Sequence, residues 1–131
     1  MPFLVKEEPE NYSFDAFVKD GGTTWSGVRN PLAQKHLRAI RKGDSVLYYH
    51  TGKEKAVVGV ARAATAAYPD PADRTGKSHV VDLVPVKKLA RPVTLAEIKA
   101  DPDFRESALV RQGRLSVVSL NEAQFRRLTQ G

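Results

Sequence analysis

Ser45-Val46-Leu47-Tyr48-Tyr49-His50, a turn at Thr51-Gly52-Lys53, and a run of small and β-branched residues from Ala56 to Ala67 decide the fold class. The first segment alternates with the period of a strand, placing Val46, Tyr48 and His50 on one face and Ser45, Leu47 and Tyr49 on the other. Gly59 interrupts the second run, which marks a bulge or a close approach by another group. Tyr68-Pro69-Asp70-Pro71 through Lys77 is a loop rich in turn formers. A further strand resumes over 79–89, where Pro85 requires an edge or a bulge. Strands that follow one another in this way, without the long helices of βαβ units, predict an α+β domain built as a small barrel.

The flanking segments carry readable helix starts. Phe3-Leu4-Val5 is a strand stopped by Pro9. Ser13 then caps a helix with Phe14, Phe17 and Val18 on one face; Tyr12 and Phe17 form its hydrophobic staple, and Gly21-Gly22 ends it. Asn30-Pro31 opens a second helix, since proline at the first helical position gives up an N–H that has no intrahelical partner anyway. Ala33, Leu37 and Ile40 form its inner face at i, i+4, i+7. Thr94-x-x-Glu97 reads as a capping box with Val93 and Ile98 as staple, for a helix reaching about Ala100. Leu115 to Leu120 is the last strand, and Asn121 with Gln124 caps a terminal helix whose inner face is Phe125 and Leu128. The sum is about five strands and four short helices.

At 131 residues the chain is expected to be a single domain, 1–131. No apolar run approaches a membrane span, and the first ten residues resemble neither a signal nor a transit peptide. With 0 Cys, disulfides, thiol catalysis and cysteine-ligated zinc are excluded, and a cytoplasmic location is the expectation. Lys and Arg number 21 against 15 Asp and Glu, for a net charge of +6. Their distribution says more. Arg29, Lys35, Arg38, Arg41 and Lys42 follow one another with no acid among them. Arg105, Arg111, Arg114, Arg126 and Arg127 form a second group, relieved only by Glu106 and Glu122. The first twenty residues are acidic instead.

Catalytic motifs are absent from the sequence. His36, His50 and His79 lie far apart, with no metal-ligand spacing, so neither a metal nor a cofactor is expected. Gly76-Lys77-Ser78 resembles the end of a phosphate loop, but Pro71 stands where its upstream glycine should be and a strand follows in place of a helix. Trp25-Ser26-Gly27-Val28-Arg29-Asn30 combines the sole Trp, a glycine, an Arg and a helix N-terminus. It has two readings: free N–H groups and Arg29 as an anion site with Trp25 as a stacking face, or a core Trp, a helix cap and a surface charge. Tyr48, Tyr49 and His50 divide likewise between packing and a ligand platform.

Several stretches together resemble one family. Val5-Lys6-Glu7-Glu8-Pro9, Tyr12-Ser13, Trp25-Ser26-Gly27-Val28-Arg29-Asn30, Gly43-Asp44, Tyr49-His50, Val58-Gly59-Val60-Ala61, Tyr68-Pro69-Asp70-Pro71, Arg91-Pro92-Val93-Thr94 and Arg114-Leu115-Ser116-Val117 fall in the order of the EVE domain. That family is PUA-like and related to the YTH readers of methylated RNA. The resemblance implies a small mixed β-barrel flanked by short helices, with a pocket at one side that takes a modified nucleobase of DNA or RNA without changing it chemically. Carried over by position, it places Lys6 and Glu7 beside the pocket on the first strand and Trp25 as an aromatic wall. Val28, Arg29 and Asn30 become the rim, Tyr49 and His50 the second side, and Arg114, Leu115 and Ser116 the approach from the last strand. The chain departs from the family pattern at Glu7, where Ser is common, at Pro31, where an aromatic is common, and at Thr51, where Ser usually follows the His.

The expectation is therefore a non-enzymatic reader that extrudes one base and sandwiches it. Lys35, Arg38, Arg41, Lys42 and Arg111 would hold the phosphates, with no membrane partner and a separately encoded effector such as a nuclease. On this view Trp25→Ala weakens binding and leaves the fold intact. Two other classes compete: a sensor of a free anion or nucleoside, and an enzyme acting on nucleic-acid bases through His50.

Overall fold

In the computed structural model, which describes residues 1–130, the helix starts lie where their caps put them. Ser13 Oγ accepts the amide of Ala16 at 3.1 Å at the head of α2 (Phe14–Asp20), behind a short α1 (Pro9–Tyr12). Gly21, at φ 78°, closes α2 in the left-handed conformation. The Tyr12 and Phe17 rings meet edge to face at 6.2 Å, the expected staple. Asn30 heads α3 (Pro31–Arg38). Thr94 heads α4 (Leu95–Ala100), but only half of its box forms, because the Glu97 carboxylate turns to Arg91 instead. A 3-10 turn (Pro102–Phe104) and α5 (Ala108–Arg111) follow, and Asn121 with Gln124 makes a complete capping box on α6 (Glu122–Thr129).

β1 (Phe3–Glu7) runs parallel to β3 (Ser45–His50) and antiparallel to β7 (Val117–Ser119). β4 (Ala56–Ala63) lies between β3 and the long β6 (His79–Thr94), which also pairs with β2 (Thr23–Trp25) and β5 (Tyr68–Pro69). The order β2-β6-β4-β3-β1-β7 does not close, since β2 and β7 do not pair. The sheet is a curled half-barrel, and α3 packs against both β6 and β7 across the open side. The barrel expected from sequence is thus mixed and incomplete, with seven strands in place of about five. β2 and β5, of three and two residues, have no periodicity of their own to announce them. β6 accommodates Pro85 by a bulge: Val60 pairs with Lys87 and Ala61 with Pro85, leaving Val86 out and 51% exposed.

Val46 to His50 are all buried, so both faces of β3 are covered. Tyr48 is the hub of the aromatic cluster. Its ring lies 5.3 Å from Phe14, 5.5 Å from Phe17, 5.4 Å from Trp25 and 5.7 Å from His50, and its hydroxyl donates to the Tyr12 carbonyl. Gly59 is the close approach the sequence predicted: a Cβ there would stand 2.4 Å from the Phe14 ring. Gly59→Ala is expected to cost about 1–3 kcal/mol by overpacking, read as a lowered denaturation midpoint. An unchanged midpoint would mean that the ring moves aside freely.

Candidate nucleic-acid interface

Trp25 ends β2, and the chain then turns through Gly27 at φ 77° to reach the head of α3. Asn30 Oδ1 accepts the amides of Leu32 at 2.9 Å and Ala33 at 3.0 Å, and its carbonyl accepts that of Gln34 at 2.9 Å. Pro31 has no N–H to offer. The donors that a helix N-terminus presents to an anion are therefore already bound, which removes the free N–H groups from the anion-site reading. The buried Gln34 side chain fixes the segment from below, donating to Val28 O at 2.7 Å and accepting from His79 N at 2.9 Å.

Asn30 and Leu32 face the α5–β7 loop across a depression of about 360 Å³, whose other lining residues are Arg111, Gln112, Gly113, Arg114 and Leu115. Its floor and one edge are apolar: Leu115 is buried and Leu32 is 36% exposed. Lys6 braces the loop, with Nζ donating to Gly113 O at 3.0 Å and its amide to Ser116 O at 2.9 Å. That ammonium also stands 5.4 Å from the centre of the Tyr49 ring. Burial lowers the Lys6 pKa and raises that of Tyr49. Arg111 is committed to its own turn, donating to Arg105 O at 3.1 Å and pairing with Glu106 at 2.9 Å. Arg114 is exposed and forms no ion pair among the described residues.

The remaining expected pocket residues are elsewhere. Trp25 is 6% exposed and lies edge-on to Tyr48 in the core. Arg29 is exposed and lines a second depression, of about 390 Å³, with Gly27, Val28, Asp70, Ala72, Asp73 and Ser78. Trp25 lines neither of these two hollows. His50 has both ring nitrogens engaged: Nε2 accepts from Phe14 N at 3.0 Å, so Nδ1 carries the proton and donates to Glu54 at 2.8 Å. Glu7, opposite His50 in the β1–β3 register, accepts from the amide of Glu8 at 2.9 Å. The structure thus brings together Asn30, Arg114 and Leu115, with Lys6, Ser116 and Tyr49 behind them. Val28 and Arg29 belong to the neighbouring hollow, and Trp25 and His50 to the core.

Leu32, Gln112 and Gly113 escaped the sequence reading. Leu32 had a signal, being an apolar residue out of phase with Ala33, Leu37 and Ile40 on an otherwise basic face. Lys35 and Arg38 on that face, and Arg41 and Lys42 beyond the end of the helix, are all exposed, and none is ion-paired among the described residues. His36 between them has its pKa lowered by burial and by Lys35. Among the described residues no three His, Asp or Glu side chains gather to hold a metal, and no helix is long and apolar enough to cross a membrane.

A family model described as "EVE domain" matches residues 2–131. The chain belongs to the EVE domain family. Thymocyte nuclear protein 1 from Gallus gallus is 30% identical to this EVE domain over 157 residues, a match covering 94% of this chain and 65% of that protein. The human protein of that name is 29% identical, covering 79% of this chain and 56% of its own length, so the domain spans a little over half to about two thirds of these relatives. Among solved structures, Rpa0253 from Rhodopseudomonas palustris aligns with a TM-score of 0.93 at 41% identity, covering 98% of this chain and 90% of that one. The human THYN1 protein, solved in complex with DNA containing 5-methylcytosine, aligns with a TM-score of 0.88 at 26% identity, covering 98% and 95%.

Proposed function

We propose that this EVE domain is a non-catalytic nucleic-acid-binding module that holds one modified base of DNA in the hollow between Asn30 and Arg114. The observation that carries this reading is an open depression of about 360 Å³ bordered by Asn30 and Leu32 at the head of α3, the helix that carries the exposed Lys35 and Arg38 and is followed by the exposed Arg41 and Lys42. Lys35, Arg38, Arg41 and Lys42 track the phosphates, and the strand delivers a base between Leu32, Leu115 and the planar guanidinium of Arg114. Stacking in this hollow then comes from Arg114 and the two leucines, since Trp25 does not line it. Asn30 Oδ1 is occupied as the cap, which leaves the side-chain amide N–H₂ as the donor for a base edge. The human relative solved with 5-methylcytosine DNA sets the first ligand to try. Catalysis through His50 has no support in the geometry, since both its nitrogens are bound.

The test is fluorescence anisotropy with short DNA duplexes and single strands carrying 5-methylcytosine or cytosine, and with matched RNA strands. Methylated DNA is expected to bind more tightly than its unmodified counterpart. Arg114→Ala should weaken that binding roughly tenfold, the scale of one lost stacking contact, with unchanged thermal stability. Equal affinity for all strands, or an Arg114→Ala protein that binds like the parent, would overturn the reading. Free nucleosides that bind as well as the oligonucleotides would favour a small-molecule sensor instead.

A further inference from the structure

The two depressions are lined by successive residues of one segment, 27–32. Gly27, Val28 and Arg29 line one hollow, Asn30 and Leu32 the other. Two or three residues of extended chain span roughly 7–11 Å, so a strand that seats one base in the first hollow carries its neighbour over the second. The second hollow also has its own chemistry. Asp73 is committed to the loop: Oδ1 accepts from Thr75 N at 3.0 Å and Oγ1 at 2.7 Å, and Oδ2 from Ser78 N at 2.8 Å. Those bonds hold its pKa at about 2 and make it a fixed anchor. Asp70 uses only Oδ1, on Ala72 N at 2.9 Å, leaving Oδ2 as an open acceptor. Arg29 lines the same hollow, yet it forms no ion pair with Asp70 or Asp73. A donor fork and a carboxylate thus border one space without meeting across it.

Guanine matches that pair. Its N7 and O6 are adjacent acceptors, the edge that Arg reads bidentately, while N1–H and N2–H₂ are adjacent donors suited to a carboxylate. Adenine, cytosine and thymine do not offer two acceptors on one edge and two donors on the other. We propose that the Arg29–Asp70 hollow is a subsite for the nucleotide beside the seated base, and that it selects guanine. This rests on the reading above, in which the first hollow receives a base.

Two measurements separate the subsite from that reading. The first is an NMR titration of the intact domain with GMP, AMP, CMP and UMP. GMP is expected to shift the amides of Gly27, Arg29 and residues 70–78 most, and Asp70→Asn to abolish the difference. Asn keeps an acceptor for Ala72 N, so the loop retains its shape and the unliganded spectrum of that variant reports on it directly. The second is anisotropy with methylcytosine DNA in which each flanking base is varied in turn. Guanine on one side should be favoured about tenfold, the scale of one bidentate contact, and Asp70→Asn or Arg29→Ala should level the four flanks.

Equal affinity for all flanks, with methylcytosine still preferred over cytosine, overturns the subsite alone. A guanine preference without discrimination of the methyl group supports the subsite and overturns the reading of the first hollow. GMP that shifts no amide of the loop, together with DNA that does not bind, overturns both.

Discussion

Trp25→Ala is expected to destabilise the domain by about 3–5 kcal/mol, the range for removing a large aromatic side chain from a core. Trp25 is 6% exposed, and its ring supports Tyr48, whose own ring carries Phe14 and Phe17. The cavity left behind would sit beside β2, a strand of only three residues that is held to β6 by its ladder and by the Thr24 hydroxyl on Asp82. A loss of this size is a large share of the roughly 5–15 kcal/mol that stabilises a typical domain, so the melting temperature should fall by more than about 10 °C. Urea denaturation followed by circular dichroism reads the effect as a lower midpoint at similar slope. Trp25→Phe, which keeps an aromatic body, should lose substantially less. A Trp25→Ala protein as stable as the parent but defective in DNA binding would restore the stacking-wall role that the family resemblance implies.

Much of the fold was legible because the signals are local. Ser13, Asn30, Thr94 and Asn121 each cap a helix through a bond to an amide two or three residues on, a geometry fixed within one turn of chain. Gly59 and Pro85 announced their irregularities for the same reason: one lacks a side chain, the other a backbone donor. What was missed depends on distant partners. β2 exists because Thr23 to Trp25 pair with Val81 to Leu83, some sixty residues away. α5, at four residues, is too short to show a helical period. Alternation sorts Ser45 to His50 onto two faces but cannot tell a half-covered strand from one covered on both sides, as β3 is.

The site was legible in its parts and less so in their assembly. The stretch from Trp25 to Asn30 was singled out, and the structure distributes it over three environments: Trp25 into the core, Val28 and Arg29 to one hollow, Asn30 to the next. Six consecutive residues cannot all face one cavity when a turn at Gly27 and a helix start at Pro31 redirect the chain within them. His50 illustrates a second limit. A buried imidazole between a backbone amide and a carboxylate has the same sequence signature as one that lines a pocket, and only the partners distinguish them. Arg111 shows a third: counted as a free cation, it is held by the Arg105 carbonyl and the Glu106 carboxylate.

Converting Lys35, Arg38, Arg41 and Lys42 together to alanine should produce the largest loss of nucleic-acid affinity at low salt. All four are exposed, while the buried face of α3, formed by Ala33 and Leu37, and the buried Ile40 beyond it are untouched, so the fold should persist. If each cation neutralises one phosphate, the slope of log K against log salt loses about 0.9 per contact on duplex DNA and about 0.7 on single strands. Four contacts then account for a slope of about 3.6 on duplex, or about 2.8 on single strands. Between 50 and 200 mM salt the parent should therefore weaken roughly 150-fold more than the variant on duplex, and roughly 50-fold more on single strands. Anisotropy titrations at four or five salt concentrations measure both slopes. Discrimination between methylated and unmodified cytosine should survive in the variant, because phosphate contacts fix position and carry no base identity. A parallel pair of salt slopes would show that α3 points away from the strand and that the backbone follows another face of the domain.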